Sequence, residues 1–261
     1  MGALATLRRR IASQASVESR VWGYNCDNHR DPKQVEKEIR AILANADELY
    51  LSEAFYRLPH VPGFDLFHDT SNRSRENIAA YIRTSYGAKL EYWIDLKETW
   101  GRTNDGASGQ HEPRSYPVFS LGRILSIPVH QPPNFTDNTA DAQHEGLMAL
   151  IRALKPKKGG PFRRLLTKLR PVQAVGDFNS TKGDRNSEVA ALAAAIKGEV
   201  VGIKIDCAVV ANMEVSAVQY VQTVPDENGT FVKLESDHGH AFRFTRKVSG
   251  FWLRRRRRKK R

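Results

Sequence analysis

Cysteine is scarce in this 261-residue chain, which has only Cys26 and Cys207. Two cysteines cannot build the disulfide framework of a small secreted fold, and they lack the paired spacing of a structural zinc site. Each lies in an apolar, strand-like stretch, which predicts buried free thiols and an intracellular, reducing compartment. No run of about 18 apolar residues occurs, so no segment reads as a bilayer span. Arg8, Arg9 and Arg10 precede no apolar block of signal-peptide length. No internal repeat is visible, and no Pro- or Gly-rich linker divides the chain. With 40% hydrophobic and 9% aromatic residues, disorder is excluded and one large domain with a substantial core is expected.

Acidic residues are also in deficit. Against 41 Lys and Arg stand 29 Asp and Glu, a net charge of +12. The last eight residues, Arg254 to Arg261, are all basic and supply eight of those twelve charges. Like charges in a row do not pack together, so this segment reads as a disordered tail that binds polyanions in a strongly salt-dependent way. It also matches a nuclear-address pattern. A second basic cluster comprises Lys155, Lys157, Lys158, Arg163, Arg164, Lys168 and Arg170. Leu165, Leu166 and Leu169 are interleaved at helical spacing. A phosphate-backbone contact and a solvated helix face fit that cluster equally well. The expected organisation is a basic N-terminal arm over 1–16, one domain over 17–248 and a basic disordered tail over 249–261. The expected location is cytoplasmic or nucleic-acid-associated, as a monomer.

The most informative stretch is Val175-Gly176-Asp177-Phe178-Asn179-Ser180. The apolar run from Val172 reads as a short buried strand that Gly176 allows to end abruptly. Asp177 and Asn179 then share a face in extended backbone. A carboxylate can orient or deprotonate a water, and a neutral amide can donate to a phosphate oxygen without repelling it. The same four residues also make an ordinary turn. Elsewhere, Val21–Tyr24 reads as a strand entering Asn25-Cys26-Asp27, another pair of oxygen donors two apart. Asp31-Pro32 opens a helix with Val35, Ile39, Ile42 and Leu43 on one face. Glu48–Leu51 forms a strand ending in Ser52-Glu53.

Further along, 77–86 fits a helix or a strand equally well. Leu90–Ile94 reads as a strand. Val118–Val129 reads as two strand pieces meeting near Gly122, with His130 just before two prolines. Asp141–Leu154 is the clearest helix. An Ala-rich helix over Glu188–Lys197 ends at Gly198. Val200–Val210 reads as one strand holding Asp206 among apolar residues, where a charge needs a partner. Val215–Thr223 and Phe231–Leu234 follow as strands, with a turn at Asp226–Gly229. Ser236-Asp237-His238-Gly239-His240 then leads into a last strand over Ala241–Phe244. Strands outnumber helices, which suggests an α/β sandwich with strand layers inside and helices outside.

Taken in order, Asn25-x-Asp27, Glu53, His130, Gly176-Asp177-Phe178-Asn179, Ile205-Asp206 and Ser236-Asp237-His238 resemble the endonuclease/exonuclease/phosphatase superfamily, from about Val21 to Phe244. The resemblance implies a four-layered α/β/β/α sandwich, two packed and mostly antiparallel sheets flanked by helices. It implies a phosphoester hydrolase using Mg2+ or Mn2+, with Glu53 as central metal ligand helped by Asn25, Asp27 and Asp237. Asp177 resembles the residue that activates water, and Asn179 the donor to the phosphate. His238 and His130 are similar to the histidines that stabilise the transition state or assist the leaving oxygen, with Asp206 as partner of His238. Asn72 and Glu76 are similar to an Asn-x-x-x-Glu of the deoxyribonuclease branch, where the acid supports the first histidine. Ser52 departs from the family's usual Gln, and Gly239-His240 departs from the commoner apolar or proline residues. The basic clusters point to a nuclease holding DNA or RNA in the active-site cleft, along Lys155–Arg170 and on the tail. The alternative is a phosphatase or phosphodiesterase for a small molecule or lipid headgroup.

Overall fold

The computed structural model describes residues 6, 15–27, 30–68, 77–95, 100–102, 108–110, 115–131, 147–154, 169–179 and 188–253. The first sheet contains β1 (Ser16–Asn25), β2 (Glu48–Ala54), β3 (Phe64–His68), β4 (Asn77–Arg83), β13 (Glu214–Val215), β14 (Gln219–Val221) and β17 (Ala241–Ser249). Its order is β13-β17-β1-β2-β4-β3, with β14 also on β17. The second contains β5 (Lys89–Asp95), β8 (Ser115–Leu121), β9 (Ile124–His130), β10 (Val172–Asp177), β11 (Glu199–Val201) and β12 (Asp206–Ala211), in the order β11-β12-β10-β9-β8-β5. Two small hairpins complete the strands, β6 (Trp100–Arg102) with β7 (Ser108–Gln110), and β15 (Thr223–Pro225) with β16 (Phe231–Lys233).

Alternation of side chains decides the layers. Val21, Tyr50, Val175, Ala208, Phe242 and Phe244 project between the sheets and form the central core. The opposite face of the first sheet, with Trp22, Tyr24, Leu49 and Leu51, packs on helix α1 (Pro32–Asn45). Asp31 caps that helix by accepting from the Lys33 N–H at 3.0 Å, and Pro32 enters its first turn, where no N–H is needed. The opposite face of the second sheet packs on α2 (147–154) and α3 (Glu188–Ile196) through Leu150, Leu154, Val189 and Leu192. The result is the expected α/β/β/α stack.

Several boundaries move. Segment 77–83 is a strand, because Ile78, Ala79, Ala80, Tyr81 and Ile82 are buried on both faces of a sheet interior. The single strand expected over Val200–Val210 is two, since Gly202, at φ 121°, turns the chain between β11 and β12. The last strand runs five residues beyond Phe244, to Ser249. The folded domain therefore outlasts residue 248: Gly250–Leu253 form α4, with Trp252 buried. Gly176 does not end its strand. It lies inside β10, and glycine is needed there because a Cβ would meet the Val129 carbonyl oxygen at 2.0 Å. Cys26 and Cys207 are buried and free, as expected. Among the described residues, no helix is long and apolar enough to cross a membrane. The greater parts of the N-terminal arm and the Lys155–Arg170 cluster, and all of the Arg254–Arg261 run, lie outside the described residues.

A polar knot interrupts the central core. Arg246, wholly buried on β17, meets Glu48 of β2 at 2.5 Å. Its guanidinium also donates to Ser19 Oγ at 2.9 Å and to Gln173 Oε1 at 3.1 Å. Gln173, from the other sheet, donates to Glu48 Oε2 at 2.8 Å and to Tyr50 Oη at 2.6 Å. Tyr50 and Ser126 share a 2.6 Å hydrogen bond. R246M, which strands a buried carboxylate, is expected to cost about 3–5 kcal/mol in guanidinium unfolding. The double variant R246M/E48L should be more stable than R246M alone, because it leaves no unpaired charge.

Candidate active site

Two parallel strand pairs end at one pole of the sandwich. In the first sheet Asn25 lies beside Ser52 at the ends of β1 and β2. In the second, His130 lies beside Asp177 at the ends of β9 and β10. The antiparallel β12 begins there, with Asp206 beside Asp177. The alternation that buries Val21, Val175 and Ala208 also turns Asn25, Asp177 and Asp206 into the space between the sheets. Each sheet thus supplies half of a polar cluster at the mouth of an apolar core.

Glu53 needs a special backbone to join it. Its neighbours Tyr50 and Ser52 face inward, so simple alternation sends Glu53 outward. A bulge between Leu51 and Ala54 in the β2–β4 pairing, with φ of 47° at Glu53, returns its carboxylate to the cluster. Asn25 Nδ2 donates to Glu53 Oε1 at 3.2 Å. Asp27 and Asn179 also have positive φ, so three of the five such non-glycine residues among those described are expected site residues. Backbone strain concentrates at this pole.

The remaining contacts are short. His130 Nε2 lies 3.7 Å from Glu53 Oε1 and 3.7 Å from Asp177 Oδ2. Its backbone carbonyl accepts from Tyr116 Oη at 2.7 Å. His238 Nε2 lies 3.8 Å from Asp177 Oδ2 and 3.4 Å from Asn25 Nδ2. Its Nδ1 meets Asp206 Oδ2 at 2.6 Å. Asp237 is exposed; its Oδ1 accepts from the His238 N–H at 2.9 Å, and its Oδ2 is 3.7 Å from His238 Nε2. Asp27, half-buried, donates its N–H to Asn25 Oδ1 at 2.9 Å. Asn179 donates its backbone N–H to Asp177 Oδ1 at 2.7 Å. Its amide donates to the Gln131 carbonyl at 2.7 Å and to Asp177 Oδ2 at 3.3 Å. In this arrangement the Asn179 amide braces Asp177. Every expected site residue that is described lies in this cluster or directly beside it; Asn72 and Glu76 lie outside the described residues.

The donors fit a hard divalent cation: carboxylates and an amide, with no thiolate among them. Asp177, Asp206 and His238 offer ligand atoms within 4.8 Å of one another. The Asp206 carboxylate, however, is already taken by His238 and, at 3.3 Å, by His240. The Asp206 carboxylate thus faces two histidines. Asn25 turns its nitrogen to Glu53 and its oxygen to the Asp27 N–H, so ligation through its oxygen takes a half-turn of the amide.

No protein-family model and no curated protein matches the sequence. Solved structures do. An endonuclease/exonuclease/phosphatase family protein from Bacteroides thetaiotaomicron superposes with a TM-score of 0.56 at 15% identity, over 90% of this chain and 99% of that one. A mannosyl-6-phosphatase from Bacteroides thetaiotaomicron VPI-5482 gives 0.54 at 16% identity, over 88% and 99%. TDP2 from D. rerio, complexed with single strand DNA product, gives 0.52 at 10% identity, over 89% and 99%. At such identities the likeness is one of fold. The chain has the fold of the endonuclease/exonuclease/phosphatase superfamily, and the resemblance carried by its motifs holds at that level.

The groups behind these side chains have little or no signature in the sequence. His240 and Tyr220 stand behind Asp206, and Gln131 and Tyr116 behind Asn179 and His130. Only the adjacency of His240 to Ser236-Asp237-His238 was a signal.

Burial alone would depress the pKa of His238. The hydrogen bond and charge of Asp206, with Asp177 and Asp237, outweigh burial and raise it to about 9. A raised pKa stabilises the fold fully below the unfolded value near 6.5 and loses that contribution as pH climbs through the folded value. In chelator-treated protein, unfolding free energy should therefore fall on the order of 2 kcal/mol between pH 6 and pH 10 on this account, after discounting for partial exposure. NMR titration of His238 should give a midpoint well above that of an ordinary histidine, and D206N should lower it.

Proposed function

We propose that this chain is a divalent-metal-dependent phosphoester hydrolase acting on nucleic acid by in-line attack of water on phosphorus. The observation that carries the reading is the meeting of Asn25 and Glu53 from one sheet with His130, Asp177 and Asp206 from the other, around His238. We assign Glu53 as the anchor for Mg2+ or Mn2+, with Asn25, Asp27 and Asp237 helping. When bound, such an ion neutralises phosphate charge and stabilises charge developing on the leaving oxygen.

The protein's own groups do the rest. Asp177 takes a proton from the attacking water as the new O–P bond forms and the ester O–P bond breaks. Asn179 holds both oxygens of Asp177, which fixes the direction of attack. Its amide can also donate to a phosphate oxygen if it releases the Gln131 carbonyl. His238, kept protonated by Asp206, donates from Nε2 to a phosphoryl oxygen as negative charge builds. His130 returns a proton to the leaving oxygen. Asn72 and Glu76 are assigned to substrate contact and to support of His130.

Nucleic acid is favoured over a small ester by the net charge of +12 and its concentration in the Lys155–Arg170 and Arg254–Arg261 segments. The likeness in fold to a phosphatase of a sugar phosphate supports the second reading, a small-molecule phosphoesterase using the same residues.

The purified protein should nick plasmid or degrade single strands in Mg2+ or Mn2+, and chelator should abolish this. D177A should lower kcat by about 10²–10⁴-fold with thermal stability retained. Rapid phosphate release from sugar or inositol phosphates, with no cleavage of DNA or RNA, would transfer the assignment to the second reading. Removing Arg254–Arg261 should weaken nucleic-acid binding and flatten its salt dependence, while turnover of a small chromogenic diester persists.

A further inference from the structure

Asp206 has two histidines. Its carboxylate, 3% exposed, meets His238 Nδ1 at 2.6 Å and His240 Nε2 at 3.3 Å, both through Oδ2. His240 is itself buried, and its Nε2 approaches Asp206 at ion-pair distance without the alignment of a full hydrogen bond. Gly239, at φ 65° with open space where a Cβ would stand, turns the chain between the two histidines. The rings end 6.3 Å apart, tilted by 31°.

The His240 ring is held from behind. Tyr220 packs against it edge-on at 5.0 Å and 84°. The Tyr220 hydroxyl accepts from the backbone N–H groups of Ile203 and Lys204, each at 3.0 Å. It donates to the Asp206 carbonyl at 3.3 Å. One phenol therefore fixes both the backbone entering Asp206 and the ring facing its side chain. Asp206 sits on the second sheet, whereas His238 and His240 lie on the loop entering β17 of the first. A single carboxylate–histidine contact across that gap leaves the carboxylate free to swing about χ2. A second contact to the same oxygen removes that freedom.

We propose that His240 is a positioning residue for the hydrolysis: it holds Asp206 so that Oδ2 stays on His238 Nδ1, and thereby aims His238 Nε2 at the phosphoryl group. The inference rests on the function proposed above. Burial lifts the pKa of Asp206, but its bonds to His238 and His240 outweigh that and keep it below the usual carboxylate range, which agrees with a carboxylate gripped from two sides.

The test compares H240F, which keeps a ring against Tyr220 but has no N–H, with H240Q, which keeps an N–H in reach of Asp206. On whichever phosphodiester the parent cleaves, H240F should lose about tenfold in kcat with KM within twofold, and H240Q should keep most of the activity. In a D206A background H240F should cause no further loss. In metal-free protein, the hydrogen-bonded Nδ1 proton of His238 should be visible by NMR in the parent and in H240Q, and lost to exchange in H240F. Parent-level kcat in folded H240F, equal losses in both variants, additivity with D206A, or an unchanged Nδ1 resonance in H240F would each overturn the proposal. If H240F does not fold, H240N, one methylene short of Asp206, takes its place with the same expected losses. A parent with no hydrolytic activity counts against the proposed function, and the NMR comparison then decides this inference by itself.

Discussion

The relative slide of the two sheets is the constraint on which the site depends, and the Arg246–Glu48–Gln173 knot sets it. Glu48 and Glu53 lie on one strand, five residues apart; Gln173 and Asp177 lie on another, four apart. The knot thus sits roughly 13–17 Å below the cluster along both strands. Apolar packing alone tolerates sliding, because Val on Phe is nearly as good one notch along. A buried carboxylate held by an arginine, a carboxamide and a phenol tolerates far less. Two half-sites on separate sheets can meet at 3–4 Å only if something inflexible joins the sheets, and this network spans both.

Electrostatics at the pole follow from the same geometry. The described cluster places Glu53, Asp177 and Asp206 around two histidines. Carboxylates this close disfavour one another's charge unless cations stand between them. His238 supplies one such charge, which is why its pKa climbs despite burial. On the function proposed above, a divalent ion would counter the remainder. The arrangement therefore favours a dianionic or monoanionic ester only once its own negative charge has been countered, a requirement that suits a metal-loaded site.

Much of this was legible from residues alone, for reasons that can be named. Asn25, Asp177 and Asp206 were readable because each is a polar residue at the end of an apolar run, and strand alternation fixes its face. Their gathering at one pole was not a matter of alternation; it followed from the family resemblance, and the fold agrees. Glu53 is the opposite case. Its identity could be read, but its aim depends on a bulge and a positive φ that no pattern in Glu48–Ala54 announces. The break at Gly202 is hard to read because apolar residues flank it on both sides, and periodicity does not show where such a stretch changes direction. The constraint on Gly176 has no local sign either, since it comes from Val129, a neighbour remote in sequence. Partners such as half-buried Tyr220 and buried Arg246 have no local signature, since their purpose is defined by groups tens to hundreds of residues away.

β17 runs antiparallel to β1, so its first residue stands near Tyr24 and its last beside Ser16. Gly250 then donates its N–H to the Ala15 carbonyl, and Trp252 accepts from the N–H of Arg123, at the start of β9. The polypeptide consequently leaves the body at its floor, a full strand length from the catalytic mouth, roughly 23 Å if β9 is the ruler. On the function proposed above, a polyanion held by the residues that follow would be tethered at the opposite end of the body from the candidate site. Such a tether would raise the local concentration of a long polymer and offer little to a lone monophosphate, so on that reading substrate length would itself be selected.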